Sequence, residues 1–115
     1  MTATTSYHGS TPGNLRIERK LDADGVVLVL AGELDLASSP ALDRQLRELD
    51  GTNPGRLLID LSRLDFMDST GLAIMIGAQQ SAQDNGHRLS LRPGPGQVQR
   101  LFELTGVLDR FTFEE

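Results

Sequence analysis

The segment RLLIDLSRLDFMDSTGLA, residues 56–73, decides the fold, because it runs from one structural period into another. RLLIDL, residues 56–61, is a short branched apolar run of the kind that forms a buried strand. Asp68, Ser69 and Thr70 are residues that cap helices, and from about Thr70 to Asp84 the apolar positions Leu72, Met75, Ile76, Ala78 and Ala82 cover one helical arc. Asn85-Gly86 is a stop signal. A buried strand followed directly by a helix start is the repeating unit of an α/β domain.

The flanking sequence extends this unit in both directions. VVLVLA is continuously apolar from Val26 to Ala31 and reads as a central strand covered on both faces. Asp22 to Gly25 form a tight turn that pairs it antiparallel with LRIERKL, residues 15–21, an alternating edge strand in which Arg19 is the misfit. Ser39 is placed to cap a helix with Pro40 at its first position, and Leu42, Leu46 and Leu49 share its inner face up to Asp50-Gly51. A helix between the strand at Val26 and the strand at Arg56 implies a right-handed crossover and a parallel pair. RLSLR, residues 88–92, alternates as a further strand, and Pro95 opens a last helix with Val98, Leu101, Phe102 and Thr105 on one face. RFTFEE, residues 110–115, has the makings of a short edge strand. The expected fold is an α/β domain around a mostly parallel sheet with one antiparallel edge. Residues 1–14 show no apolar periodicity and read as a flexible tail before a single domain at 15–115.

Composition narrows the function. A formal net charge of −5 with scattered Lys and Arg argues against direct binding of nucleic acid or an anionic membrane. No cysteine is present, so there is no thiolate nucleophile or cysteine-bound zinc. No apolar run approaches the roughly 20 residues of a membrane span, and the first residues lack the order of a signal peptide. A cytoplasmic protein without a cofactor, whose partners are proteins or small molecules, is expected.

Ligand sites in open α/β sheets lie where strands run into helices, and two such loops carry chemistry: Gly32 to Asp35, and Asp65 to Gly71. Ser69 has three readings. It can cap its helix, act as a nucleophile, or receive a phosphate favoured by the helix N-terminus. A nucleophile needs a base, and only His8 and His87 are available. His8 falls in the tail, and His87 lies at the far end of the helix, more than about 20 Å away at roughly 1.5 Å per residue. Asp35, Asp60, Asp65 and Asp68 read as loop acids before a metal or acid-base site, and GPGQ lacks the spacing of a phosphate-binding loop. Gly71 either leaves room for an approaching group or serves close packing. Ala73, Ile74 and Gly77 leave a smooth face on the helix after Ser69, which is either buried against the sheet or open to a protein partner.

The combination GELDL at 32–36, LLIDLSRLDFMDSTGLA at 57–73 and QRLFELTGVLDRF at 99–111 resembles the STAS domains of bacterial anti-sigma factor antagonists. DFMDSTG is the most specific element, and the similarity runs from about Leu15 to Phe113. The resemblance implies a four- to five-stranded sheet with an antiparallel edge strand and helices packed mainly on one face. It also implies a partner-switching regulator in place of an enzyme. The unmodified form binds an anti-sigma factor serine kinase, a histidine-kinase-like ATPase, and a sigma factor is released. The kinase phosphorylates Ser69, and a PP2C-type phosphatase reverses this. By the same resemblance Asp35 lies beside Ser69 and assists recognition or phosphorylation, within a partner surface of Asp35, Asp68, Ser69, Thr70, Gly71, Ala73, Ile74 and Gly77. The protein is expected to be a monomer or weak homodimer. The alternative is a scaffold or ligand-sensing STAS module without a kinase cycle. This chain has GLAI after Ser69-Thr70 where many relatives have GLG, which adds a methyl to the helix surface.

Overall fold

The computed structural model describes residues 8–10, 14–52 and 54–114. The chain follows the order β1 (His8–Ser10), β2 (Leu15–Asp22), β3 (Gly25–Leu34), α1 (Ser39–Thr52), β4 (Arg56–Met67), α2 (Ser69–Asn85), β5 (Arg88–Arg92) and α3 (Gly96–Leu104), with a 3-10 turn at Leu108–Arg110. The described strands form one sheet in the order β1-β2-β3-β4-β5. The pairs β1-β2 and β2-β3 are antiparallel, and β3-β4 and β4-β5 are parallel. The crossover through α1 therefore yields the parallel pair that its position between two strands requires.

Three elements depart from the sequence pattern. His8–Ser10 pairs with Ser10 to His8 opposite Arg16 to Glu18, inside the segment read as a tail; the rest of residues 1–13 lies outside the described residues. Asn14 is also engaged, its carbonyl accepting the amide of Glu33 at 3.1 Å. β4 continues through Ser62 to Met67, because β3 runs on to Leu34 and offers it a partner; two register shifts, at Val29/Ala31 and Gly32/Glu33, absorb the mismatch. At the C-terminus, the expected edge strand is a single parallel bridge between Leu91 and Phe113.

All three helices pack on one face. Leu28, Leu30, Leu57, Ile59, Leu89 and Leu91 join Leu42 and Leu46 of α1, Leu72 and Met75 of α2, and Val98 and Phe102 of α3 in one core. Val29 and Leu58 point the other way and are buried without belonging to that core. The expectation that the strand at Val26 is covered on both faces holds in part: Val29 is buried on the second face, whereas Val27 and Ala31 are only half-buried. Among the described residues no helix packs on the second face, where Arg16, Glu18 and Arg63 line a hollow together with Val29 and Ala31. Arg19, the misfit in β2, faces the helical side and donates to Gln45 of α1 at 3.1 Å.

Candidate functional site

The parallel pair β3-β4 sets the site. Leu34 and Met67 are opposite one another at the carboxyl ends of the two strands. The amide of Asp68 donates to the carbonyl of Leu34 at 3.1 Å, so the loop carrying Asp35 and the start of α2 leave one rim together. The two motifs thus start from neighbouring strand ends.

Asp68 is the cap of α2. Its backbone is extended (φ −102°, ψ −175°), and its Oδ1 accepts from the amides of Thr70 at 2.9 Å and Gly71 at 3.1 Å. Ser69 is therefore the first helical residue, exposed, and not the cap. At the other end Gly86 adopts φ 75° and closes the helix as the Asn-Gly signal predicts.

Gly71 is buried, and a Cβ there would meet Leu34 at 2.8 Å and Met67 at 2.9 Å. Of its two readings, close packing is the one the structure supports, and the residue offers a partner no surface. The first turn of α2 lies close against the strand ends, and an added Cβ here would force those side chains to shift. Thr70 is half-buried.

Ala73 and Gly77 are exposed and Ile74 is half-buried. These three line a groove of about 300 Å³ whose opposite wall is α1, including Asp43, Leu46 and Arg47. Sequence periodicity placed the α2 side of this groove. The α1 side was missed, since nothing local indicates which helix packs alongside.

Asp35 is half-buried and turns inward on its own loop. Its Oδ1 accepts from the amides of Ala37 and Ser38, each at 3.1 Å. Ser38, fully buried, donates its hydroxyl to the Glu33 carbonyl at 2.9 Å and accepts the Asp35 amide at 3.0 Å. α1 begins at Ser39, whose hydroxyl donates to the Leu36 carbonyl at 3.5 Å, so Ser39 is inside the helix and Pro40 is its second residue.

Asp60 and His87 are used elsewhere, and Asp65 is exposed on β4. Among the described residues no group of three or more His, Cys, Asp or Glu is arranged to hold a metal ion. Asp60 accepts from the Arg92 guanidinium at 2.8 Å and the Ser62 amide at 2.9 Å. Burial alone raises its carboxyl, but hydrogen bonds from Ser62 and the Arg92 charge outweigh that and hold it below the ordinary value. His87 is buried beyond the far end of α2, its Nε2 3.0 Å from Asp50 Oδ1. Asp50 Oδ2 accepts the Ser81 hydroxyl at 2.6 Å. This cluster ties α1 to α2, and it removes His87 from any role at Ser69.

The rim thus presents an exposed hydroxyl at a helix start, directly after the capping Asp68, and the loop carrying Asp35 leaves the neighbouring strand end. A family model described as "Mlab, STAS domain" matches residues 17–112, and the chain belongs to the STAS domain family. It is 34% identical over 97 residues to the anti-sigma-B factor antagonist of Listeria monocytogenes, covering 84% of this chain and 85% of that protein. The solved structure of the anti-sigma factor antagonist SpoIIAA in its unphosphorylated form shares the fold, with a TM-score of 0.74 at 20% identity, covering 86% of this chain and 88% of that one. The Bacillus cell fate determinant SpoIIAA in its phosphorylated form shares it too, with a TM-score of 0.68 at 19% identity over 86% of this chain and 91% of that one. No helix among the described residues is long and apolar enough to cross a membrane.

Proposed function

We propose that this protein is a cytoplasmic anti-sigma factor antagonist that works by partner switching. Unphosphorylated, it binds an anti-sigma factor serine kinase of the histidine-kinase-like ATPase type and so releases a sigma factor. Phosphorylation of Ser69 by that kinase ends the binding, and a PP2C-type phosphatase restores it. The observation that carries this reading is Ser69 itself: an exposed hydroxyl at the first position of α2, directly after the capping Asp68.

Electrostatics make the switch work in one direction. A phosphate adds about −1.5 to −2 charges near neutral pH. The amides of Thr70 and Gly71 are already taken by Asp68, so the phosphate gains the helix dipole, about 0.3 to 2 kcal/mol, without displacing the cap. It also stands beside the carboxylate of Asp68, on the rim it shares with Asp35. In a partially desolvated interface the same charge is unfavourable by on the order of 1 to 3 kcal/mol. Binding changes more than folding does.

The name of the Listeria relative supports the regulatory class, and the phosphorylated state of SpoIIAA supports the modification. The test is to incubate the protein with ATP and the histidine-kinase-like serine kinase from the same genome. One phosphate on Ser69, removed by a PP2C-type phosphatase, is the expected result. Modification confined to Thr70, or none with a kinase of proven activity, sinks the reading. The groove between α1 and α2 is the feature that favours a ligand-sensing or scaffold module; ligand-dependent stabilisation with no response to charge at Ser69 is its signature.

A further inference from the structure

The loop between β3 and α1 holds an apolar side chain outside a fixed backbone. Leu36 is 73% exposed, although the residues on both sides of it are tied down. Asp35 Oδ1 holds the amides of Ala37 and Ser38, the buried Ser38 hydroxyl holds the Asp35 amide and the Glu33 carbonyl, and the Ser39 amide donates to the Asp35 carbonyl at 2.8 Å. Exposure alone singles out nothing, since Leu104 on α3 is 77% exposed and isolated surface leucines are ordinary. Leu36 differs in being held and in where it is held. It lies two residues beyond Leu34, whose carbonyl accepts the Asp68 amide, and so stands on the rim from which Ser69 starts α2.

The bonding of Asp35 gives its carboxylate a task that needs no charge. A turn of this kind is closed by a side-chain carbonyl oxygen accepting amides two and three residues on, which asparagine supplies as well as aspartate. A side chain presented by a turn already closed loses little further freedom when a partner buries it.

We propose that Leu36 is an apolar anchor for the serine kinase that docks on the Ser69 rim, and that Asp35 is a positioning residue, acting by closing the turn that presents Leu36. This rests on the partner-binding reading of that rim. It assigns the kinase an apolar pocket facing the β3-α1 loop, beside the place where it reads the charge on Ser69.

The test uses the full chain, the serine kinase from the same genome that labels Ser69, and a non-hydrolysable ATP analogue, with affinity read by calorimetry. Leu36→Ala and Asp35→Ala are each expected to weaken the complex about tenfold or more. Asp35→Asn should recover affinity to within about threefold of the unmutated chain, and Asp35→Ala/Leu36→Ala should be little weaker than the poorer single variant, as expected when one residue acts through the other. Amide hydrogen exchange needs no partner: Ala37 and Ser38 should be protected in the unmutated chain and in Asp35→Asn, and open in Asp35→Ala. Asp35→Asn binding as poorly as Asp35→Ala overturns the positioning role, because the charge is then what the kinase reads. Leu36→Ala at full affinity overturns the anchor. Unprotected Ala37 and Ser38 amides in the unmutated chain overturn the fixed turn alone, whereas a kinase that never binds the unmutated chain overturns the partner reading of the rim.

Discussion

The amide of Asp68 donates to the carbonyl of Leu34 at 3.1 Å, at the end of the parallel pair β3-β4 that brings the two chemical motifs of the chain to the same edge. Leu34 ends β3 and Asp68 begins the turn into α2, so Asp35 and Ser69 follow in parallel from neighbouring strand ends. The site is a property of strand pairing as much as of residue type.

Asp68 should matter first for stability. Its Oδ1 serves two amides at the start of a 17-residue helix. Asp68→Ala is expected to lower unfolding free energy by about 1 to 2 kcal/mol, and Asp68→Asn by less, because asparagine also caps. Urea titration of the three proteins checks the order.

The two glycines of α2 should respond in opposite ways. Gly71→Ala places a Cβ within 2.9 Å of Leu34 and Met67, so it should destabilise by about 1 to 3 kcal/mol. Around Gly77 there is nothing within 4 Å, and Gly77→Ala should stabilise by about 0.5 to 1 kcal/mol through helix propensity alone. Thermal melts of both variants are sufficient; equal losses would contradict the assignment of Gly71 as a packing position.

A charge at Ser69 should separate binding from folding. Ser69→Asp is expected to weaken the kinase complex up to about a hundredfold, with a melting temperature within about 3 °C of the unmutated protein. Ser69→Ala should retain binding. If Ser69→Asp binds as tightly as the unmutated chain, the repulsion mechanism is wrong.

Acid stability should depend on Asp60. Outweighing the effect of burial, the Ser62 hydrogen bonds and the Arg92 charge hold its folded carboxyl below the ordinary aspartate value, so the native state binds this proton less readily than the unfolded chain does. The stability it contributes is present in full above that value and is lost as pH falls through the lower, folded one. Asp60→Asn should flatten the fall in unfolding free energy below about pH 4. Equal slopes for the two proteins would show that Asp60 is not responsible.

Local chemistry in the sequence went far toward the elements. The branched run at Val26 and the alternation at Arg88 marked strands, and the Asn85-Gly86 stop lies where Gly86 adopts its left-handed backbone. These signals were legible because side-chain periodicity and backbone preference act over a few residues. The cap of α2 was narrowed to three neighbours, and the backbone geometry picked Asp68.

What only the tertiary structure decided lies in contacts between distant residues. β4 extends to Met67 because β3 reaches Leu34 beside it, and Gly71 is a packing position because those same two side chains crowd it. The inward hydrogen bonds of Asp35, the α1 wall of the groove and the pairing of His8–Ser10 depend likewise on where other segments settle. The sequence by itself determined β2, β3, the first half of β4, β5 and the three helices, and that Ser69 stands at a helix start, since those follow from short-range sterics and hydrogen bonding. Which surface Ser69 shares, and with which neighbours, was decided by packing, because the register of one strand against another is settled by a whole buried face and not by any one residue.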